Sequence, residues 1–397
     1  MKVAFLTSGG IAPCLSASIG RLIHNYLEND PKIEIIGYLN GYKGLLTGNS
    51  IKFPKNIKNS IPYFYKFGGS PIGNSRVKLT NTNDCIKKGY IKDGEDALQI
   101  AAKQLIKDKI TILHTIGGDD TNTTAADLSK YLQKNNYRLT VVGLPKTIDN
   151  DVSPITQTLG AWTAAEQGAI YFENIVNENT TSDRQLIIHE VMGRNCGWLT
   201  AATAYTYRNR LNSLEFIPDI GIIKEKWDIH SILLPEKKLD FDKECKRLKK
   251  IMDKYDCVNI FLSEGAGLDT IVEESERMGK KILKDAFGHI RLDDLNPGLW
   301  FATQLKSRLQ ANKVLVQKSG YFSRSAKPNK KDLDLIFLLA DKAVASAING
   351  ENGVVGWDEE NKNTLSCIDF NRIKGGKPFN TSEDWYVEME QEIHAIK

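Results

Sequence analysis

One unit recurs along this chain and limits the folds open to it: a short β-branched run, a glycine or polar turn, and a helical stretch. Residues 3–7 lead through Gly9-Gly10 into a helix near 15–27, and residues 111–116 lead through Gly117-Gly118 into a helix near 123–132. Residues 139–144 precede a loop and a helix near 159–176, and residues 186–191 pass Gly193 into a helix near 198–207. Residues 258–262 run into Ser263-Glu264-Gly265. Residues 313–317 run into Ser319-Gly320-Tyr321, ahead of a helix near 331–348. Strands alternating with helices predict an α/β fold with mainly parallel sheets and helices on both faces. At 397 residues the chain is too long for one compact core and suits two such domains. Ligands on these sheets sit beyond the carboxyl ends of the strands, so each polar turn is a candidate site.

Composition narrows the partners. The chain is 41% hydrophobic and 26% charged, with a net charge of +4 and both signs interspersed. This is neither a nucleic-acid-binding face nor a polybasic tail, so neither nucleic acid nor a membrane is expected as a partner. The apolar run at residues 3–6 is too short for the core of a signal peptide, and no run approaches the roughly 18 apolar residues of a spanning helix. Cys14, Cys85, Cys196, Cys245, Cys257 and Cys367 show no CxxC spacing, which predicts free thiols in a reducing cytoplasm. The histidines form no HExxH pattern, so no zinc site is expected.

Three turns carry chemistry suited to phosphate. In Thr7-Ser8-Gly9-Gly10, glycines let backbone N–H groups approach an anion at a helix start. Gly117-Gly118-Asp119-Asp120-Thr121 adds two adjacent carboxylates, which would repel a phosphate unless a hard cation such as Mg²⁺ intervened. The plainer alternative is that Asp120 and Thr121 cap a helix. Pro145-Lys146-Thr147-Ile148-Asp149-Asn150-Asp151 follows a strand. In extended chain Asp149 and Asp151 would point to one side, where a carboxylate could accept a proton from an attacking hydroxyl. Lys146 offers a positive charge to a transferring phosphate. A generic polar loop is the competing reading.

With these motifs and four more in order, the chain closely resembles the phosphofructokinase family from residue 2 to about residue 348. The others are Gly69-Ser70-Pro71-Ile72-Gly73-Asn74-Ser75-Arg76, Met192-Gly193-Arg194, Ser263-Glu264-Gly265 and Tyr321-Phe322-Ser323-Arg324, and Ala12-Pro13 follows the first glycine pair. The resemblance implies a reversible transfer of a phosphoryl group to the 1-hydroxyl of fructose 6-phosphate. It implies two similar three-layer α/β/α domains with the active site in the cleft between them. Residues 1–158 with about 325–370 would bind donor and Mg²⁺, residues 159–324 would bind the sugar phosphate, and residues 371–397 would form a C-terminal extension.

The same resemblance implies roles for residues. Asp149 would be the general base, with Thr147 and Asp151 flanking it and Thr147 touching substrate. Asp119 would hold Mg²⁺. Gly9, Gly10 and Gly118 would bind the donor phosphate, and Arg76 would bridge phosphates during transfer. Met192, Gly193, Arg194 and Glu264 would bind the sugar phosphate, Tyr321 and Arg324 its 6-phosphate, with Lys318 as a helper. Members that use ATP usually carry Gly where Asp120 and Lys146 stand, whereas members that use pyrophosphate resemble this chain. Asp120 would crowd the α-phosphate of ATP, and Lys146 would compensate for the binding energy that pyrophosphate lacks. An ATP-dependent enzyme or a non-catalytic regulatory subunit on the same fold are the rivals. Many members also reach a substrate phosphate of a neighbouring subunit with an Arg at the position of Gln185, which here follows Arg184. A homodimer or homotetramer is the implied assembly.

Overall fold

The computed structural model describes residues 1–279, 281–283 and 290–396. Residue 397 of the expected extension, and residues 280 and 284–289 of the expected sugar-phosphate domain, lie outside the described residues. The strands are β1 (Lys2–Thr7), β2 (Glu34–Tyr38), β3 (Ser50–Lys52), β4 (Ile112–Gly117), β5 (Thr140–Pro145), β6 (Gln185–Val191), β7 (Ser231–Leu233), β8 (Cys257–Ser263), β9 (Lys313–Lys318), β10 (Gly353–Asp358) and β11 (Thr364–Ile368). The chain divides into two compact units, Met1–Thr163 with Arg324–Lys377, and Ala164–Ser323 with Pro378–Lys397.

The first unit is built on a sheet of order β11-β10-β5-β4-β1-β2-β3. Its interior pairs are parallel and its two edge strands run antiparallel. β4 and β5 are buried along their full length, which is why they read as continuous apolar runs without alternation. Ala4 and Leu6 point into a core with Ala101, Leu105, Ala125 and Leu128. Phe5, one residue out of phase, faces the other way onto Tyr26 and His114. Helices therefore cover both faces.

The second unit is a parallel sheet of order β7-β8-β6-β9. Leu186, Ile188, Ile260 and Leu262 pack on Leu248, Ile251 and Met252 of the helix Phe241–Tyr255, and on Phe301 and Leu305 of the helix Pro297–Leu309. On the opposite face His189 stacks on Phe172, and Phe261 packs against Phe172, His189 and Tyr207 in tilted or edge-on contacts. The architecture is α/β with mainly parallel sheets, as the alternation of strands and helices predicts. No described helix is long and apolar enough to cross a membrane.

Two expectations change. The helix foreseen near 123–132 begins at Asp119, so Asp119 and Asp120 occupy its first turn. The run Asp-Asp-Thr-Asn-Thr-Thr has weak helix propensity and hides this start. Residues 371–397 do not stand apart as one extension. Lys374 exchanges both backbone hydrogen bonds with Ser153, and Lys377 N donates to Asp151 O, which ties this stretch to the first unit. The helix Asp384–Ala395 packs in the second unit, where Arg208 pairs with Glu392 at 2.6 Å.

Candidate active site

In the first unit three strand-end turns and one long loop converge. Gly9 sits at φ +86°, a backbone state that L side chains rarely adopt. Its N–H donates to Ser75 O at 2.9 Å, Ser8 Oγ donates to the same oxygen at 3.0 Å, and Asn74 Nδ2 donates to Gly9 O. The loop carrying Arg76 is thus sewn to the glycine turn. Arg76 Nη2 lies 3.8 Å, and Arg324 Nη1 4.0 Å, from where a Cβ on Gly10 would stand. Gly10 therefore faces two guanidiniums.

Lys146, directly after β5, reaches back to the same turn. Its Nζ donates to Gly10 O at 2.7 Å, and the residue is 5% exposed. Burial pulls its pKa below the ordinary lysine value, while the nearby Asp149 and Asp151 carboxylates pull the other way and Arg76 adds to the lowering. The loop beyond it is a turn and not an extended strand. Asn150 lies at φ +54°, and its Oδ1 accepts from Thr158 N at 2.8 Å. The left-handed residue between Asp149 and Asp151 removes the two-residue alternation that extended chain would impose. Thr147 Oγ1 instead organises the turn, donating to Asp151 Oδ1 at 3.0 Å and accepting from Asp149 N at 3.1 Å.

Gly118 caps the helix Asp119–Lys134, and the two aspartates sit at its positive end. Burial, reinforced by the Asp119 charge, raises the pKa of Asp151 even though the hydrogen bond from Thr147 opposes it. Two further residues here escaped the sequence reading. A Cβ on Gly375 would collide with Oδ2 of Asp119, so only glycine lets this segment pass the carboxylate so closely. Lys78 Nζ lies 2.6 Å from Asp120 Oδ1. The Gly375-Gly376 pair, and a lysine two residues beyond Arg76, were the available signals.

In the second unit three more strand-end turns meet. Gly193, at φ +131°, follows β6. Its carbonyl accepts from Ser263 Oγ at 2.6 Å, and its N–H donates to Glu264 Oε1 at 3.4 Å. Gly265 passes so near the Arg194 carbonyl that a side chain would overlap it. Met192 packs against Gly320 of the turn after β9. Arg194 Nε is buried with no partner among the described residues, and Tyr321 is 76% exposed. A cleft of about 1330 Å³ opens beside Arg194, lined also by Lys243, Gly265 and Trp300. Lys318 stands opposite Glu190 in the β6–β9 register and pairs with it at 2.8 Å.

Arg184 does not take the place of the missing arginine. Its guanidinium is committed to Gln310 O and Leu309 O, each at 2.7 Å, and to Asp253 at 2.9 Å. Gln185 is fully buried at the start of β6, the strand end remote from Met192. Trp162 is half-buried beneath Lys331, whose Nζ sits 4.1 Å from the ring centre.

Among the described residues no group of three or more His, Cys, Asp or Glu side chains could hold a metal by itself. A cation here would depend on one or two carboxylates and on oxygens of a bound phosphate, the manner in which Mg²⁺ binds in many phosphoryl-transfer sites.

Comparison with known proteins gives these features a setting. The family model described as phosphofructokinase matches residues 2–347. The pyrophosphate–fructose 6-phosphate 1-phosphotransferase of Methylomonas methanica is 57% identical over 396 residues, covering 100% of this chain and 97% of that protein. The protein of the same name from Mastigamoeba balamuthi is 51% identical over 395 residues, covering 100% of this chain and 96% of its own length. The crystal structure of a pyrophosphate-dependent phosphofructokinase from Marinobacter aquaeolei superposes with a TM-score of 0.70 at 21% identity, covering 98% of this chain and 92% of that one. At that identity the likeness is one of fold.

Proposed function

This chain belongs to the phosphofructokinase family, and from that premise we infer that it transfers a phosphoryl group reversibly from pyrophosphate to the 1-hydroxyl of fructose 6-phosphate. The products are fructose 1,6-bisphosphate and orthophosphate. The observation that carries the donor assignment is the pair Asp120 and Lys146, with Lys146 Nζ buried and held at the Gly10 carbonyl. Relatives at 51–57% identity bear the pyrophosphate-dependent name, which supports the same donor.

The first unit supplies the donor chemistry in this reading. Gly10 and Gly118 present backbone N–H groups to the phosphates, while Gly9, whose own N–H is held by Ser75 O, shapes the turn against the donor. Arg76 and Lys146 hold the charge that spreads over the oxygens as the bridging P–O bond breaks. Asp149 takes the proton of the sugar hydroxyl as its oxygen bonds to phosphorus, and orthophosphate leaves. Thr147 and Asp151 set the turn that aims Asp149. Asp119 would hold Mg²⁺, which supplies charge neutralisation on the phosphate oxygens when bound. The mutual repulsion of Asp119 and Asp151 fits a cation there.

We read Met192, Gly193, Arg194, Glu264 and Tyr321 of the second unit as sugar-phosphate contacts, and Arg324, which belongs to the first unit, as a ligand of the 6-phosphate. Lys318, paired with Glu190 at 2.8 Å, joins these residues as a helper in this reading. We read the protein as a cytoplasmic homodimer or homotetramer. The six free cysteines support the compartment, and exposed Leu214, Ile217 and Ile220 suit a face buried by a second copy. The experiment is a donor swap: purified protein with fructose 6-phosphate and either pyrophosphate or ATP, following fructose 1,6-bisphosphate. Turnover that favours ATP overturns the donor assignment.

A further inference from the structure

Arg76 and Lys78 flank the buried Val77 on one stretch of loop. That loop is pinned at Ser75 to the glycine turn after β1. Arg76 reaches Gly10, and Lys78 reaches the Asp120 carboxylate at 2.6 Å. Asp120 is half-exposed in the first turn of its helix, and Lys78 is 23% exposed. The donor-discriminating carboxylate is therefore not a bare negative charge.

We propose that Lys78 is a donor-specificity residue, which holds the Asp120 carboxylate in a charge-compensated pair beside Arg76. The proposal rests on pyrophosphate as the donor and deepens that reading. A bare carboxylate at 120 would repel every polyanion that enters, pyrophosphate included. Repulsion alone cannot select the short donor over the long one, because both bring several negative charges. A neutralised pair can, since it occupies the space a nucleotide tail needs while leaving no net charge against pyrophosphate. Lys78 acts through Asp120 and is a positioning residue in the reaction as it normally runs.

Two consequences separate this account from simple repulsion. Removing the ammonium in Lys78→Met strips the compensation from Asp120, so KM for pyrophosphate rises about five- to tenfold while kcat stays within about twofold. Lys78→Arg keeps the charge and restores KM. In Asp120→Gly the space opens and Lys78 is no longer held by Asp120, so its charge can meet the added phosphate of ATP. The ATP turnover gained by Asp120→Gly then falls at least about fivefold in the Asp120→Gly/Lys78→Met double variant, a coupling that repulsion alone does not give.

The test is steady-state kinetics of wild type, Lys78→Met, Lys78→Arg, Asp120→Gly and the double variant with pyrophosphate and with ATP, each checked for an unchanged thermal midpoint. A KM effect for pyrophosphate, rescued by arginine, supports the pair. If wild type prefers pyrophosphate and Lys78→Met matches it in KM, the proposal falls alone. If wild type prefers ATP, the donor reading falls and takes the proposal with it. Should Lys78→Met unfold, Lys78→Arg and the double variant decide. Arginine that leaves KM raised, together with equal ATP turnover in the single and double Asp120→Gly variants, overturns it.

Discussion

Lys146 Nζ donates to the carbonyl oxygen of Gly10 at 2.7 Å, so the residue after β5 closes onto the glycine turn after β1. The lysine is almost wholly buried, and its charge is fixed on the Gly10 carbonyl of that turn. A charge held before substrate arrives needs little rearrangement in the transition state. Lys146→Gly should therefore depress kcat with pyrophosphate by about 10²–10³-fold and alter KM less. Burial lowers its pKa, so the ammonium is lost as pH rises at a value below that of an ordinary lysine. The alkaline limb of kcat should move to higher pH in Lys146→Arg, because a guanidinium stays charged. An unmoved limb would assign it to another group.

Asp149→Asn should lower turnover by about 10²–10⁴-fold with little change in sugar-phosphate affinity. Asparagine preserves the turn, since the backbone N–H of this residue makes the bond to Thr147 Oγ1. Saturating-substrate kinetics and direct binding of fructose 6-phosphate check the two halves of the expectation. Near-normal turnover would remove Asp149 from the chemistry.

Arg324→Ala should raise KM for fructose 6-phosphate more than KM for pyrophosphate, because a guanidinium pairs strongly with a terminal phosphate. Its Nη1 also approaches Gly10, so the measurement has force. A rise confined to pyrophosphate would reassign Arg324 to the donor.

Gly375→Ala should push the Asp119 carboxylate aside, since the added Cβ has no room beside Oδ2. We expect Mn²⁺ affinity, read by water-proton relaxation in the presence of pyrophosphate, to fall about tenfold or more. Gly376→Ala tests backbone strain instead, because Gly376 lies at φ +75° with open space around its Cβ position. Equal metal affinity in Gly375→Ala and wild type would separate this segment from the site.

Acid should destabilise the fold before the carboxylates titrate. Burial lowers the pKa of His114 to about 4, of His189 to about 3 and of His230 to about 4. The folded protein thus refuses protons that the unfolded chain accepts below its ordinary histidine value. Stability is full above pH about 6.5 and falls as pH drops, with each histidine costing about 2 kcal/mol at pH about 5. Urea midpoints measured downward from pH about 7 should show the decline, and a flat profile to pH about 5 would contradict it.

The order of strands, turns and helices was open to reading in the sequence alone, because β-branched runs and glycine turns act locally. So was the place of the candidate-site turns, since Gly9-Gly10, Asp119-Asp120 and Lys146 to Asp151 lie at strand ends where an α/β sheet exposes its turns. β2, β3 and the β10–β11 hairpin were not legible: β3 and β11 are short edge strands with little pattern of their own, and β2 and β10 gain their places only by pairing with β1 and β5. The turn at Asn150 escaped too, as its left-handed state is held by Thr158, which approaches only after the loop has folded back. Tertiary structure alone decided which distant residues share the site. Sheet order put β1 between β4 and β2, which brings the turns after β1 and β4 side by side and Lys146 onto Gly10. It also carried Gly375 past Asp119 and Lys78 to Asp120. Those contacts depend on strand register and loop path, which no local propensity encodes.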